Sequence, residues 1–272
     1  MYVLASKSGI ITGRRLAKKL GLKFQIDINK LNSESSIVIR YGNAQQLPTS
    51  ISNDTDCNSR ASIIRASAKH KLSDYLEDTD IVCPKYFPYR QGQIIPKELG
   101  ENFLGRKRLH RAGRDITVLK RGGVIPVKTE FLVPLYDNII REYRVHVAFG
   151  NVVKVMRKYP IDDKADPIIK TAAFGWQYKR SAVKKVQCSK AMIKTAVKAA
   201  EVLGLEFCGV DMAWSGKETG LGNWIIWEIN SAPSLNTDSL NLYADLFREN
   251  LPERLNEIRK PNSNNSGSKP SS

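Results

Sequence analysis

The feature that most constrains the fold is an apolar, aromatic segment that carries two oxygen-bearing side chains near its end. It runs from Asn223 to Pro233 and reads NWIIWEINSAP. Its β-branched and aromatic residues predict a β-strand. Residues two apart on a strand point to the same face, so Glu228 and Asn230 are expected side by side. Carboxylate and amide oxygens, with no sulfur or imidazole beside them, favour Mg²⁺ or Mn²⁺.

A second predicted strand lies upstream, from Glu206 to Trp214, and the single carboxylate within its apolar run is Asp211. The connecting residues 215–223 contain three glycines, which predicts a hairpin. Folding back would bring Asp211 close to Glu228 and Asn230, giving three oxygen ligands for one or two divalent ions. The alternative is that the two carboxylates are exposed edge charges. Their position in the middle of apolar runs disfavours it, because an unpaired charge is costly there.

The composition is that of a globular protein, with 42% hydrophobic and 26% charged residues. No run approaches the roughly 18 apolar residues that a membrane span needs, and the first residues lack the apolar stretch of a signal peptide. The four cysteines are widely spaced, which indicates neither a zinc site nor a disulfide framework. We therefore expect a cytoplasmic protein without a membrane partner.

The formal net charge is +16, from 43 Lys and Arg against 27 Asp and Glu. Such a surface attracts anions, including nucleotides, acidic peptides and nucleic acid. The cations are spread along the chain instead of forming blocks, so nucleic acid remains possible but is not favoured. Simple solubility is the other explanation.

The order of predicted elements is typical of an α/β protein that leads into a β-rich unit. A strand, a helix and two further strands occupy the first 41 residues, and the helix covers Ile10 to Leu20. Longer helices are predicted over about Ser59 to Leu76 and over Ser189 to Leu203, where Gly204 ends the second one. A last helix spans about Leu240 to Phe247. The segment from Pro261 onward has no apolar residue and is expected to be disordered.

Further strands are predicted between residues 103 and 156, including Val124 to Thr129 and an antiparallel return at Asn151 to Met156. In the strand around REYRVHV, alternation places Tyr143, Val145 and Val147 on one face and Glu142, Arg144 and His146 on the other. Arg144 could bind a phosphate or a carboxylate with two hydrogen bonds. A solvated sheet face explains the pattern equally well.

One turn, His110 to Asp115, carries several cations and a glycine between two predicted strands. A loop with free backbone N–H groups and nearby Arg or Lys can cover phosphates. Arg-rich turns are also common on solvated surfaces, and for this turn alone that is the stronger interpretation.

Taken together, these segments resemble the ATP-grasp enzymes, above all the branch of the ribosomal-protein glutamate ligases, over roughly Asn58 to Leu235. The matching segments are NSRASIIRASAK, FLGRKR with the loop HRAGRDI, FLVPL, EYRVHVAFGNVVKVMRK, LGLEFCGVD and WEINSAPSL. The short N-terminal part is similar to compact ATP-grasp proteins carried by bacteriophages. The resemblance is specific at the metal-binding end, whereas only one of the phosphate-loop glycines is present.

The resemblance implies an α/β (α+β ATP-grasp) fold with the nucleotide between two α+β subdomains. The implied parts are residues 1–58, an N-terminal α/β part; 59–136, the small subdomain with its lead-in helix; 137–258, the C-terminal subdomain with the metal site; and 259–272, a disordered tail. The implied Mg²⁺ ligands are Asp211, Glu228 and Asn230, and Arg144 would steady the transferred phosphate. ATP would be bound by Lys69, Arg106, Lys107, Gly113, Val133 and Leu135.

The resemblance also implies an activity: an ATP-dependent carboxylate–amine or carboxylate–thiol ligase that acts through an acylphosphate. No side-chain nucleophile is required, and no serine or Cys/His arrangement stands out in the sequence. One alternative is a non-enzymatic module that uses the same fold to bind nucleic acid or an acidic protein. Another keeps the enzyme but makes the acceptor a macromolecule, such as an acidic peptide.

Overall fold

The structure is a computed structural model that describes residues 1–31, 35, 37–49, 51, 57–96, 101–107, 116–127, 129–136, 138–182, 186, 189–216 and 222–251. In these ranges the chain forms five α-helices: α1 (Ile10–Leu20), α2 (Arg60–Ser67), α3 (Leu72–Tyr75), α4 (Ser189–Leu203) and α5 (Thr237–Asn250). The same ranges contain twelve strands: β1 (Tyr2–Ala5), β2 (Lys23–Gln25), β3 (Ile37–Tyr41), β4 (Phe87–Pro88), β5 (Asn102–Arg106), β6 (Thr117–Lys120), β7 (Phe131–Pro134), β8 (Ile139–Ala148), β9 (Asn151–Pro160), β10 (Trp176–Ser181), β11 (Phe207–Gly216) and β12 (Gly222–Asn230).

The chain divides into two compact units, of which the first comprises Met1–Arg60 and Ser234–Ser272. Its sheet is parallel, in the order β2-β1-β3. Helix α1 ends at Gly21, which has a left-handed φ of 74°, and the N–H of Leu22 donates to the carbonyl of Ala17. Helix α5 packs against α1, and Arg248 donates to the carbonyl of Lys19. We expected α5 to belong with residues 137–258, but its contacts place it in the first unit.

The second unit, Ala61–Pro233, is built on a five-stranded antiparallel sheet in the order β10-β9-β8-β11-β12. The predicted hairpin is confirmed, because β11 and β12 pair directly, and so is the return of β9 along β8. Helix α4 covers one face of this sheet. It ends at Gly204, whose φ is 67°, and Arg65 donates twice to the carbonyl of Leu203, at 2.7 and 3.1 Å.

The two faces of the five-stranded sheet differ in chemistry. The face under α4 forms the main apolar core; its members include Tyr143, Val145, Val147, Val210, Met212, Trp214, Trp224, Ile226 and Ile229. Alternation therefore turns Arg144 and Asp211 to the other face. The predicted division of the strand around Arg144 into an apolar and a polar face is confirmed.

A four-stranded sheet, in the order β4-β7-β5-β6, completes the second unit. Its core is formed by Ile95, Phe103, Ile125 and Leu132. The strand predicted over Val124 to Thr129 is wrong, because the described residues of this range form no strand and contribute one isolated bridge, Val124 to Ile94. Pro126 lacks the N–H that a continuing strand would need.

The helix predicted over Ser59 to Leu76 is also wrong as a continuous element. Helix α2 ends at Ser67, Ala68 has a non-helical ψ of 64°, and a short 3₁₀ turn, Lys69–Lys71, leads into α3. The hydroxyl of Ser67 donates back to the carbonyl of Ile64 at 2.9 Å, a contact that bends helices. The predicted phosphate loop with Gly113, and the predicted disordered tail, lie outside the described residues. None of the helices in the described ranges is long and apolar enough to cross a membrane.

Candidate active site

Strand register places the predicted metal ligands on one face of the five-stranded sheet. Asp211 on β11 lies opposite Glu228 on β12, and Gly209, two residues before Asp211, lies opposite Asn230. Directly opposed residues in an antiparallel pair share a face, with Cβ atoms about 5 Å apart. The two carboxylates and the carboxamide therefore lie together.

A shift in register makes this arrangement possible. Asp211 pairs with Glu228 but Met212 pairs with Ile226, so Trp227 is an extra residue in β12. Simple alternation would put Glu228, Ile226 and Trp224 on one face. The bulge instead lets Ile226 and Trp224 join the apolar core while Glu228 lies on the polar face.

Arg144 and Asp211 form the central ion pair of this face. They are opposite each other on β8 and β11, and two hydrogen bonds of 2.6 Å join them, Nε to Oδ1 and Nη2 to Oδ2. Burial alone would favour the neutral carboxyl, but the charge and hydrogen bonds of Arg144 hold the pKa of Asp211 below its usual range. The side chain is therefore a carboxylate at neutral pH.

Two further side chains contact the Asp211 carboxylate. The hydroxyl of Tyr178 on β10 lies 3.3 Å from Oδ1, and Nδ2 of Asn230 lies 3.4 Å from Oδ2. The Arg144 guanidinium also lies over the Tyr178 ring, 4.7 Å from its centroid. Asn230 was predicted as a site residue from the sequence, whereas Tyr178 was not. The alternation of residues along β10 could have indicated Tyr178, because it places this residue on the same face as its partner Lys158 on β9.

Lys69 pairs with Glu228. Its Nζ lies 2.5 Å from Oε2, and about a quarter of each side chain is exposed. The break in the helix after Ser67 delivers Lys69 to this position. The structure thus brings together two residues that were predicted for different tasks, ATP binding and metal binding.

A second ion-pair group lies on the same polar face and was not predicted. Glu142 binds Lys158 at 2.5 Å and Lys170 at 3.4 Å, and the Lys158 ammonium lies 5.4 Å from the centre of the Tyr178 ring. All three charged side chains are less than a fifth exposed. The polar face consequently carries more cationic than anionic groups close to Asp211.

Of the remaining predicted residues, Arg106 and Val133 lie in the four-stranded sheet, Lys107 and Leu135 follow its strands, and Gly113 is outside the described residues. Arg106 ends β5 and donates to the hydroxyl of Tyr86 at 3.1 Å, and Lys107 follows it directly. Val133 is buried in β7 and pairs with Leu104. The N–H of Leu135 donates to the carbonyl of Asn102 at 2.9 Å, so an adenine contact at Leu135 would use its carbonyl oxygen.

An aromatic chain links this sheet to Lys69. Phe131 on β7 contacts Tyr86 edge-on at 5.9 Å between ring centres and His70 at 5.2 Å. Tyr86 accepts a hydrogen bond from Arg106, and His70 directly follows Lys69. The rings of Tyr86, Phe131 and His70 therefore connect the two predicted ATP-binding cations, Arg106 and Lys69. A cavity of about 330 Å³ lies beside α3 and includes Tyr86 in its lining, but none of the predicted site residues.

The donor set on the polar face fits a hard divalent cation. Asp211, Glu228 and Asn230 offer only oxygen donors, as Mg²⁺ and Mn²⁺ prefer. Within the described ranges, no group of three or more His, Cys, Asp and Glu side chains could hold a metal on its own. A cation here would consequently rely on the carboxamide and on nucleotide phosphates as well, which is usual for Mg²⁺.

Comparison with known proteins identifies the fold. No protein-family model matches the sequence, and no curated protein matches it. Among solved structures, the D-alanine–D-alanine ligase from Bacillus anthracis is similar, with a TM-score of 0.62, 12% identity, and 95% of this chain and 98% of that chain covered. The ATP-grasp ligase PsnB complexed with a minimal precursor has a TM-score of 0.57, 14% identity, and coverage of 92% and 98%.

A third similar structure is the macrocyclase MdnC from Microcystis aeruginosa MRC bound with the precursor peptide MdnA. Its TM-score is 0.53 at 11% identity, with 90% of this chain and 99% of that chain covered. The structural match extends over nearly the whole length of each protein. The chain therefore has the ATP-grasp fold.

Proposed function

We propose that this protein is an ATP- and Mg²⁺-dependent carboxylate–amine ligase related to the ribosomal-protein glutamate ligases. The γ-phosphoryl group of ATP passes to a substrate carboxylate, giving ADP and an acylphosphate. An amine then forms the C–N bond as the C–O bond to phosphate breaks, and the amine loses a proton to solvent. A thiol nucleophile would react in the same way.

One observation carries the proposal: Asp211, Glu228 and Asn230 lie on one face of the five-stranded sheet, and Asp211 lies directly opposite Arg144. These three residues would hold Mg²⁺. The ion, when bound, neutralises charge on the phosphate oxygens. Phosphoryl transfer asks a protein mainly for positioning and charge neutralisation, and this face supplies both.

The cations around the carboxylates have distinct roles in the proposal. Arg144 presents a planar donor group suited to the oxygens of the transferred phosphate. Lys69 and the pair Arg106 and Lys107 bind the remaining phosphate charge, and Gly113 is a further ATP-binding residue in this proposal. Backbone groups of Val133 and Leu135 contact adenine. Arg144 and Lys69 also form ion pairs with Asp211 and Glu228.

The acceptor in this proposal is a peptide with acidic character. A net charge of +16 favours an anionic substrate, and two structures with this fold, PsnB and MdnC, are complexed with precursor peptides. The proposal also places the protein in the cytoplasm, where it acts on ATP and a peptide without a membrane partner.

An ADP-release screen tests the proposal. The purified protein is incubated with ATP and Mg²⁺ or Mn²⁺ against amino acids, polyamines and acidic peptides, and a coupled assay follows ADP. We expect substrate-dependent ADP release that disappears in Glu228→Ala and persists in Glu206→Ala, a control on the residue before β11. Full turnover in Glu228→Ala would contradict the assignment.

A second candidate is a binding module without catalysis. The observation that favours it is that both proposed metal-binding carboxylates, Asp211 and Glu228, already hold cationic partners, Arg144 and Lys69. A module of this kind would retard DNA, RNA or an acidic protein in a salt-dependent manner and consume no ATP. Gel retardation measured beside the ADP assay separates the two candidates.

A further inference from the structure

Tyr178 contacts both members of the central ion pair of the polar face. Its hydroxyl lies 3.3 Å from Oδ1 of Asp211. Its ring lies under the Arg144 guanidinium, 4.7 Å from the centroid. A phenol donates through the hydroxyl and attracts a cation through the ring face, so one side chain restrains both partners of the ion pair.

The ring also contacts the neighbouring ion pair. Lys158, which pairs with Tyr178 in the register of β9 and β10, places its ammonium 5.4 Å from the ring centre and binds Glu142 at 2.5 Å. Tyr178 therefore lies between two cations, each of which has its own carboxylate.

We propose that Tyr178 is a positioning residue that fixes Asp211 through its hydroxyl and Arg144 through its ring. This inference rests on the proposed function, in which Asp211 holds the divalent ion and Arg144 steadies the transferred phosphate. Residues that orient a metal ligand change metal affinity or activity by about 10- to 100-fold when they are replaced. The two contacts of Tyr178 can be removed separately, because Phe keeps the ring and loses only the hydroxyl.

The experiment compares Tyr178→Phe with Tyr178→Leu. We expect Tyr178→Phe to weaken binding of Mn²⁺ in the presence of ATP by about 10-fold, measured by electron paramagnetic resonance, because the Asp211 carboxylate loses an orienting donor. Tyr178→Leu should show the same loss of metal affinity and a further fall in kcat of about 3- to 30-fold, because Arg144 loses the ring beneath it. The KM for the carboxylate substrate should stay within about twofold in both variants.

Tyr159 provides a matched control. Its ring also contacts two cations, Arg157 at 4.6 Å and Lys179 at 5.8 Å, but strand alternation places it on the opposite face of the sheet. Tyr159→Phe and Tyr159→Leu should therefore leave Mn²⁺ affinity and kcat unchanged. A metal affinity in Tyr178→Phe that equals or exceeds that of the wild type would overturn the inference, as would equal kcat in the Phe and Leu variants.

The metal titration distinguishes failure of this inference from failure of the proposed function. If the wild type binds Mn²⁺ with ATP but releases no ADP with any substrate, the ligase proposal fails and the metal-affinity difference between Tyr178→Phe and Tyr159→Phe still tests the hydroxyl contact. If the wild type turns over and the Tyr178 variants behave like the Tyr159 variants, the positioning role alone is wrong.

Discussion

Lys69 and Glu228 are 159 residues apart in sequence and form an ion pair in which Nζ and Oε2 are 2.5 Å apart. The lysine comes from the turn after α2 and the glutamate from β12. One contact thus joins the lead-in helix to the proposed metal-binding strand. Any cation or phosphate that enters the polar face must compete with it.

The first prediction concerns this pair. Lys69→Met should reduce the rise in melting temperature produced by ATP and Mg²⁺ to less than half, because a phosphate-binding cation is lost. Without ligand, the free energy of unfolding should change by no more than about 1 kcal/mol, since the pair is partly exposed. Differential scanning fluorimetry measures the shift, and Lys71→Met, an exposed lysine in the same turn, is the control. Equal ligand-induced shifts in both variants would count against a role for Lys69 in ATP binding.

The second prediction concerns Asp211 and pH. Asp211→Asn should lower the free energy of unfolding by about 2–3 kcal/mol near pH 7, because Arg144 remains buried without its counter-charge. Since the folded pKa of Asp211 lies below the ordinary aspartate value of 3.8, its stabilising contribution is complete above that pH. It is lost as the pH falls through the folded pKa, so the difference between wild type and variant should shrink below about pH 3.8.

Urea unfolding between pH 2 and pH 7 checks the Asp211 prediction. The control is Asp245→Asn, which removes the carboxylate of the exposed Arg248–Asp245 pair and should cost less than about 1 kcal/mol. A difference between wild type and Asp211→Asn that does not depend on pH would show that the ion pair is not the source of the stabilisation.

The third prediction concerns the thiol of Cys83. Burial, together with the negative charge of Asp74, raises its pKa to about 11. At pH 8 its thiolate fraction should therefore be about 100-fold below that of a thiol with a pKa of 9. Peptide-level mass spectrometry after timed iodoacetamide treatment should show slow alkylation that accelerates about tenfold per pH unit. The same cysteine in concentrated urea, where burial is lost, should react rapidly even at pH 8.

The fourth prediction compares two glycines with similar backbone angles. Gly204 and Gly150 have φ values of 67° and 73°, so alanine is strained at both positions. At Gly204 the new Cβ would lie 2.9 Å from Nη2 of Arg65, which caps α4 at Leu203, whereas nothing lies within 4 Å at Gly150. Gly204→Ala should cost about 1 kcal/mol more than Gly150→Ala in chemical unfolding. Equal costs would show that Arg65 moves without losing its hydrogen bonds.

Helices with strong local signals were predicted with the bounds found in the structure. Helices α1 and α4 each have an apolar stripe and end before a glycine with positive φ, Gly21 and Gly204. The break after Ser67 was missed because the apolar pattern continues through it. It depends on a local side-chain hydrogen bond and on the contact of Lys69 with a strand far along the sequence, neither of which periodicity reveals.

The candidate site was predictable in part. Two-residue spacing predicted Glu228 and Asn230 on one face, and the hairpin predicted Asp211 near them. That Asp211 shares their face depends on the register of the two strands, which the sequence does not reveal. The roles of these residues and of the ATP-binding residues remain predictions. The ion-pair partners were not predictable, because they depend on the order of the strands across the sheet. Strands β8 and β11 are neighbours in the sheet although they are not consecutive in sequence. This adjacency places Arg144 opposite Asp211.

The bulge at Trp227 has a consequence for how β12 tolerates changes in length. Upstream of it, Trp224 and Ile226 point under α4, and beyond it Glu228 points the opposite way, although all three positions are even-numbered. If Trp227 were deleted, the two ends of β12 could no longer both face the correct side of the sheet. Either Trp224 would be exposed to solvent, or Glu228 would be buried against the apolar side chains of the core. The one extra residue in β12 thus allows the same strand to pack against the core at one end and to present a polar side chain at the other.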